Sequence, residues 1–384
     1  MKRSTEHILT THTGSLPRPD DLAQLVLAKE AGQTVDPAAL EERIQAATTE
    51  VVRQQVACGV DVVDDGEMSK PGYSNYVKDR LTGYSGQSGA KHRPEWDDFP
   101  EYYQTNRQDA ARANLKTPAC TGPVRLADPE AVQRDIARLR AALAALGDQQ
   151  PADVFMTSAS PGVIAHFLEN QHYGSDEAYL AALADAMRPE YEAIAAAGFV
   201  LQLDCPDLAM SRHMGANAPL STEQFRAKIV GQIEALNHAV ANIPPEQLRL
   251  HLCWGNYEGP HHRDVPLRDI LDVVFRARPS AISFEGANPR HGHEWAIFED
   301  VKLPEGKLLI PGVLDSSTNY VEHPELVAQR IVRYAKLVGR ENVIAGSDCG
   351  FGTFVGRARV DRRITWAKLQ AMADGAHLAS QQLW

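Results

Sequence analysis

The sequence predicts an α/β protein, a (β/α)8 TIM barrel, and three observations support this fold class. Eight short apolar, β-branched runs that end in Gly, Asp, Ser or Asn recur along the 384 residues. Ala- and Leu-rich segments with helical spacing separate these runs. Parallel neighbouring strands need helical crossovers, so the alternation indicates either a barrel or a doubly wound sheet. The number of predicted strands favours the barrel.

The predicted strands and helices alternate along most of the chain. Three segments have clear helical patterns, at residues 176–197, 222–242 and 323–339, and Gly198 is suited to a left-handed cap at the end of the first. The eight predicted strands lie at residues 8–14, 60–66, 153–158, 199–204, 248–254, 280–285, 307–314 and 342–348.

One long segment departs from the regular alternation. Residues 83–115 are polar and rich in Gly, Pro and Tyr, which predicts a long excursion above the barrel. Residues 116–147 have the pattern of an additional strand and helix that belong to the same insertion. We therefore expect a single catalytic domain, residues 1–384, with a long insertion after the second strand at residues 68–150.

Composition excludes several classes of protein. The chain has 39 Lys plus Arg against 50 Asp plus Glu, a formal net charge of −11, which argues against a partner that is a nucleic acid or an anionic membrane. It contains no run of 18 or more apolar residues, and its charged start lacks the apolar segment of a signal peptide. Five scattered cysteines are too few for a disulfide framework. We expect a cytoplasmic protein with free or metal-bound thiols.

Unusual polar residues follow the predicted strands, at the edge where barrel active sites are built. This position is shared by Ser15, Glu67, Asp204, His251, Cys253, Glu285, Asp315 and Cys349.

Four of these residues have the character of metal ligands. His251 and Cys253 are two apart on a strand, so their side chains point to the same face, although a core histidine beside a buried cysteine would give the same pattern. Glu285 ends an apolar strand, where an unpaired carboxylate is expensive to bury, and Cys349 lies among glycines. Two thiolates, an imidazole and a carboxylate suit Zn²⁺, whereas sulfur ligands disfavour magnesium and calcium.

The formal charge of such a centre indicates its chemistry. Zinc at +2 with two cysteinates and one glutamate sums to about −1, which makes the ion a poor electrophile and a poor activator of water. An electron-rich zinc is better suited to hold a substrate thiol as a nucleophilic thiolate. The predicted reaction is alkyl transfer to sulfur, with Glu285 as a labile ligand that the thiol displaces.

Seven motifs, taken in their order, resemble the cobalamin-independent methionine synthase family, specifically its catalytic C-terminal barrel. The resemblance extends to short single-barrel relatives, among them archaeal-type core methionine synthases and epoxyalkane:coenzyme M transferases. It implies that His251, Cys253, Glu285 and Cys349 are zinc ligands. The motifs are THTGSLPRP at 11–19, DVVDDGE at 61–67, LQLDCPDLA at 201–209, HLCWGN at 251–256, SFEG at 283–286, PGVLDS at 311–316 and SDCGF at 347–351.

The resemblance also implies the contacts of a homocysteine substrate. It assigns Ser15 to the carboxylate of homocysteine, and Glu67 and Asp204 to its amino group, where opposite charges attract in a desolvated pocket. Without the resemblance, Glu67 and Asp204 are equally well explained as strand-end or helix caps. Arg18, in SLPRP, is a candidate for binding a carboxylate or sulfonate, with an exposed turn arginine as the alternative.

The proton donor of the family has no direct counterpart. The family carries a histidine after the seventh strand, where this chain has Ser317. We take Asp315 and His293 as the candidate catalytic residues, although a loop histidine is more often simply solvated. The family tryptophan that stacks on folate has Phe167 as its nearest equivalent here.

The sequence therefore predicts a zinc-dependent transferase that moves a methyl or other alkyl group onto homocysteine or a similar small thiol. Its partners would be that thiol and an alkyl donor, for which sulfonium compounds, methylcobamides, methyltetrahydrofolate and epoxides stay open. The alternatives are thiol alkylation as in epoxyalkane:coenzyme M transferase, a zinc hydrolase, a metal-free decarboxylase of the related porphyrin-type barrel, and a thiol-binding or zinc-storage protein.

Overall fold

Parallel strands form the central sheet of the protein in the computed structural model, which describes residues 1–89, 91–111, 117–357 and 359–384. Seven strands follow one another in the order β1-β4-β5-β6-β7-β8-β9, and every neighbouring pair is parallel. Strands β2 and β3 form a separate antiparallel pair. The strands are β1 Val62–Val63, β2 Tyr84–Ser85, β3 Ala119–Cys120, β4 Asp153–Ala159, β5 Val200–Asp204, β6 Leu248–His251, β7 Ala281–Phe284, β8 Leu308–Leu314 and β9 Gly346–Ser347.

Helices connect the strands of the parallel sheet. Within the described ranges, none of them has the combination of length and apolar character that crossing a membrane requires. The helices are α1 Asp20–Glu30, α2 Pro37–Ala57, α3 Glu95–Asp98, α4 Pro100–Ala111, α5 Glu130–Ala144, α6 Pro161–Phe167, α7 Asp176–Ala196, α8 Thr222–Ala239, α9 Leu267–Val274, α10 Pro324–Val338 and α11 Arg362–Leu383.

The N-terminal segment hydrogen bonds both edges of the sheet. Thr10 forms a parallel bridge with Ala345, just before β9, and Ala345 donates its N–H to Leu9 O at 2.8 Å. On the other side, Val62 N in β1 donates to Thr10 O at 3.0 Å. The strand predicted at 8–14 is therefore present only as a bridge at Thr10. The sheet is curled, because β1 and the residue before β9 both hydrogen bond this N-terminal segment.

The sequence prediction matches most of the regular elements. Seven of the eight predicted strands coincide with β1 and β4–β9, and the three predicted helices coincide with α7, α8 and α10. Gly198, predicted to cap α7, has a φ of +87°, which is the left-handed conformation that glycine adopts without strain.

The predicted insertion differs from the observed chain in one respect. Helix α5 packs against α2 and α7 and leads into β4, the parallel neighbour of β1, so it acts as the crossover helix of a regular βαβ unit. The additional strand of the prediction is β3, which pairs with β2. Residues 90 and 112–116 of the predicted excursion lie outside the described residues. The boundaries 68–150 stay a prediction.

A buried arginine ties the interior of the sheet to the N-terminal segment. Arg249, in the middle of β6, has no measurable exposure and stacks over the Phe155 ring at 3.8 Å. Its guanidinium donates to Gln202 Oε1 at 2.7 Å, to Thr11 Oγ1 at 3.0 Å and to His12 O at 2.5 Å. These bonds link β5, β6 and residues 11–12 directly below the carboxyl edge of the strands.

Replacing Arg249 with Met should lower the free energy of unfolding by about 3 kcal/mol, because three buried acceptors would lose their donor. Chemical denaturation measures this change. The matched control is Arg43→Met, since Arg43 pairs with Asp21 at the surface, where a salt bridge is worth at most about 1 kcal/mol. Equal losses in the two variants would contradict the assigned role of Arg249.

Candidate active site

Three predicted metal ligands meet at the carboxyl edge of the sheet. His251 ends β6, Cys253 follows two residues later, and Cys349 follows β9. One ligand atom from each of these residues lies within 4.8 Å of the others, and the two sulfur atoms are 3.7 Å apart. All three side chains are buried. This cluster, His251–Cys253–Cys349, has the composition and spacing of a site that could hold a metal ion.

The chemistry of the cluster fits a bound cation. Neither ring nitrogen of His251 has a hydrogen-bond partner among the described residues, and burial lowers the pKa of this histidine to about 3, which keeps it in the neutral, ligating form. The neighbouring Cys349 thiol and burial raise the pKa of Cys253 well above its usual range. A metal ion among these atoms would reverse that shift, because its positive charge stabilises thiolates.

The predicted fourth ligand, Glu285, lies next to this cluster but is not part of it. Its Oε1 accepts a hydrogen bond from Trp254 N at 2.7 Å, and its Oε2 accepts one from Asn288 Nδ2 at 2.8 Å. Burial and then the nearby Cys253 raise the pKa of Glu285 well above its usual range. The structure thus brings together three of the four predicted ligands and places the carboxylate beside them.

A cavity of about 1370 Å³ opens above the cluster. The side chains of Ser15, Glu67 and Asp204 line it together with the three cluster residues. Residues from the segment 88–104 also line the cavity, which places part of the predicted excursion above the site. Aromatic residues also line the cavity, among them Tyr73, Trp96, Phe167, Tyr257, Phe351 and Phe354.

Two carboxylates face each other on the inner wall of this cavity. Glu67 is 2 % exposed; its Oε1 accepts from Thr157 Oγ1 at 2.8 Å, whereas its Oε2 has no partner among the described residues. Asp204 accepts a hydrogen bond from Gln202 Nε2 at 2.8 Å. Burial, and then the charge of Glu67, raise the pKa of Asp204 to about 8. Asp204 therefore ionises readily beside Glu67 only when a positive charge is near, which suits a cationic ligand group.

The backbone at Glu67 is strained and is held in place by Arg18. Glu67 has a φ of +59°, a conformation that is uncommon for residues other than glycine. Arg18 donates to Glu67 O at 2.8 Å and to Gly352 O at 2.6 Å, and it is 7 % exposed. The guanidinium predicted to bind substrate therefore joins two loops of the site through their carbonyl groups, and Arg18 does not line the cavity.

The other predicted anion contact, Ser15, lies in the cavity wall. It is 3 % exposed, and its carbonyl accepts a hydrogen bond from Phe351 N at 2.8 Å. A side chain at Gly350 would lie 2.0 Å from Ser15 Oγ, so only glycine allows the Cys349 loop to approach Ser15 this closely.

The two predicted catalytic residues do not line the cavity. The carboxylate of Asp315 accepts hydrogen bonds from Ser317 N and Oγ and from Thr318 Oγ1, so it caps the turn after β8. His293 is exposed. Ser317, at the place of the family histidine, does line the cavity, as does Phe167. Proton donation by Asp315 or His293 has no geometric support in this structure.

Sequence reasoning missed two polar residues next to the cluster. Asn288, three residues after Glu285, donates to that carboxylate, and Asp348, directly before Cys349, binds the backbone of residues 286–288. Their only sequence signal is their position beside predicted ligands in the motifs SFEGAN and SDCGF.

The chain resembles known proteins both in sequence and in structure. No family model matches the chain. Methionine synthases match it nearly end to end: the one from Thermococcus kodakarensis is 24% identical over 379 residues, covering 97% of this chain and 94% of the relative. The one from Saccharolobus solfataricus is 22% identical over 379 residues, with 97% and 95% covered. The predicted resemblance to the cobalamin-independent methionine synthase family is confirmed.

Solved structures share the fold of this chain. A B12-independent methionine synthase from Shewanella sp. W3-18-1, in complex with selenomethionine, has a TM-score of 0.72 at 20% identity and covers 98% of this chain and 99% of that one. A putative vitamin-B12 independent methionine synthase from Listeria monocytogenes has a TM-score of 0.66 at 17% identity, with the same coverage. The likeness to methionine synthases therefore spans all the strands that carry the cluster.

The raised pKa of Asp204 predicts how stability depends on pH. A carboxyl whose pKa rises from 3.8 when unfolded to about 8 when folded keeps its proton only in the folded state between these values. Stability should therefore fall as pH rises from about 4 to 8, by up to about 1.4 kcal/mol per pH unit. In Asp204→Asn, which stays neutral, this slope should be smaller. Urea denaturation at pH 5 and pH 8 checks this; identical slopes in both proteins would contradict it.

Proposed function

We propose that this protein is a zinc-dependent methyltransferase that alkylates the thiol of homocysteine or of a similar small amino-acid thiol. The buried His251–Cys253–Cys349 cluster at the floor of a cavity of about 1370 Å³ carries the proposal. Methionine synthases that align with 97% of the chain support the same reaction class. The proposal includes a closed eight-stranded barrel, with residues 8–14 as its remaining strand, and a cytoplasmic location.

His251, Cys253 and Cys349 would hold the zinc ion, and the Glu285 carboxylate lies next to the Cys253 thiol. A bound zinc lowers the pKa of a coordinated thiol while its sulfur stays nucleophilic. The cluster is buried from water yet opens onto the cavity, so a substrate sulfur reaches it only from the side where the alkyl donor would bind. Burial also strengthens every electrostatic contact around the reacting sulfur.

The carboxylates of Glu67 and Asp204 favour an acceptor that carries an ammonium group. Glu67 Oε2 is buried without a partner among the described residues, and an ionised Asp204 would repel Glu67 unless a cation lay near both side chains. Homocysteine supplies that cation, whereas coenzyme M supplies a second anion in the form of a sulfonate. Both terminal nitrogens of the Arg18 guanidinium donate to backbone carbonyl groups, so this side chain does not provide a binding site for the sulfonate of coenzyme M.

The reaction balances as a displacement at carbon. The thiolate sulfur forms a bond to the alkyl carbon, the bond from that carbon to the donor atom breaks, and the donor leaves with the electron pair. The cavity is large enough for a donor much bigger than the thiol, and its aromatic wall offers flat surfaces for packing. Sulfonium compounds, methylcobamides, methyltetrahydrofolate and epoxides all fall within the proposal.

Incubating zinc-loaded protein with homocysteine or coenzyme M and a panel of donors tests the function, with mass spectrometry of the alkylated thiol as the readout. We expect the product of homocysteine alkylation to dominate. Preferred alkylation of coenzyme M would favour the epoxyalkane-type alternative. Full activity after zinc removal would contradict the proposal and favour a metal-free enzyme.

Substituting Cys253 or Cys349 by Ser should abolish stoichiometric zinc binding and reduce thiol alkylation by at least about 100-fold, because each change removes a soft sulfur ligand. Elemental analysis and a methyl-transfer assay measure the two effects. Cys58→Ser is the matched control, since Cys58 is half-buried, does not line the cavity, and has its thiol 3.7 Å from Trp366 O. Zinc retained at one equivalent in the Cys253 or Cys349 variant would contradict the assignment.

A further inference from the structure

Lys70, three residues after Glu67, makes its contacts inside the protein. It is 3 % exposed, and its Nζ donates to Thr157 O at 2.7 Å and to Thr157 Oγ1 at 2.9 Å. The ring of Tyr76 lies 4.6 Å from Nζ, within the range of a cation–π contact. Neither Lys70 nor Thr157 lines the cavity. Any effect of these two residues on a ligand in the cavity therefore passes through Glu67.

The Thr157 hydroxyl connects Lys70 to Glu67 in one direction only. A hydroxyl has a single proton and two acceptor positions, whereas an ammonium can only donate. The Thr157 oxygen therefore accepts from Lys70, and its proton goes to Glu67 Oε1 at 2.8 Å. Thr157 is buried, so water does not compete for either hydrogen bond.

The packing around Thr157 keeps this hydroxyl in place. Thr157 lies in the middle of β4 and pairs with Gln202 of β5, and a β-branched side chain is stiff at χ1. A side chain at Gly14 would lie 2.5 Å from the methyl carbon of Thr157 and 3.3 Å from Glu67 Oε1. The methyl group thus lies against the glycine, and the hydroxyl is left to face Glu67.

These contacts make the two oxygens of Glu67 unequal. Oε1 accepts from Thr157, whereas Oε2 is buried without a partner among the described residues, in a side chain that lines the cavity. The backbone of Glu67 is held as well, because its carbonyl accepts from Lys70 N at 3.0 Å and from Arg18 at 2.8 Å. The oxygen left for a ligand is therefore Oε2.

We propose that Thr157 is a positioning residue that orients the Glu67 carboxylate toward the ammonium group of the acceptor, and so sets a preference for thiols that carry an amino group. This inference rests on the proposed function. Without the hydroxyl, Oε1 would lose its donor and the carboxylate would be free to turn away from the ligand. An amino thiol would then bind more weakly, whereas a thiol without an ammonium group has no contact with Glu67 to lose.

The test measures thiol binding to the zinc-loaded full chain by calorimetry, without an alkyl donor. It compares homocysteine with γ-mercaptobutyrate, which is homocysteine without its amino group. In Thr157→Val, which keeps the shape of the side chain but not its hydroxyl, we expect the Kd of homocysteine to rise about tenfold, the size expected for losing a hydrogen bond to a charged group. The Kd of γ-mercaptobutyrate should not change. Thr157→Ser, which keeps the hydroxyl, should retain the wild-type preference.

The matched control is Thr48→Val. Thr48 is equally buried and donates to Ile44 O at 2.9 Å within α2, and it does not line the cavity. We expect this variant to bind both thiols with wild-type affinity. The decisive comparison is Thr157→Val in a Glu67→Ala background, where the loss of the hydroxyl should have no further effect because its target is gone.

Three outcomes would overturn the inference. Thr157→Val retains the wild-type preference, or it weakens both thiols equally, which would assign Thr157 to the packing of β4 alone. In the third outcome, its effect persists in full in the Glu67→Ala background. Zinc-loaded wild-type protein that binds neither thiol would instead refute the proposed function, so the two failures are distinguishable.

Discussion

The site depends on the difficulty of burying two thiols and an unpartnered imidazole together. The sulfur atoms of Cys253 and Cys349 are 3.7 Å apart, and the His251 ring nitrogens have no partner among the described residues. Buried polar atoms without partners destabilise a protein, so this cluster persists because the surrounding strands fix it and because a cation would satisfy all three groups at once. The carboxyl pair at Glu67 and Asp204 has a similar character, since a positive charge beside it would favour the ionised form of Asp204.

The rest of the fold supplies the rigidity that such a site needs. Arg249 joins β5, β6 and the N-terminal segment beneath the cluster, and Arg18 joins the Glu67 and Gly352 loops at its side. Asp348 fixes the loop after β7 by accepting hydrogen bonds from its backbone N–H groups. In each case a buried charged side chain hydrogen bonds segments that are distant in sequence, so the loops and strand ends around the site cannot move independently. Binding groups positioned in this way lose little entropy when a ligand arrives.

Residue type and strand position were sufficient to predict much of the fold and part of the site. Seven predicted strands and three predicted helices are present, because apolar periodicity reflects which face of each element is buried. His251 and Cys253 meet in the cluster, as the two-residue repeat of the strand predicted at 248–254 indicates, although β6 itself ends at His251. The roles suggested for Arg18, Asp315 and His293 have no such geometric basis. Whether a polar side chain points into a cavity or binds the nearest backbone depends on loop conformation, which periodicity does not specify.

The sequence by itself determined the α/β class, the approximate strand ends and the residue types available at the site, because these follow from hydrophobic patterning and from the chemistry of individual side chains. Only the tertiary structure decided which of those side chains meet. It brought Cys349 next to Cys253, 96 positions earlier in the sequence, and next to His251. It also placed Glu285 beside them, where Trp254 N and Asn288 Nδ2 donate hydrogen bonds to its carboxylate. Such contacts are set by distances between loops from different strands, and these distances are fixed when the sheet curls and its carboxyl edge closes around the cavity.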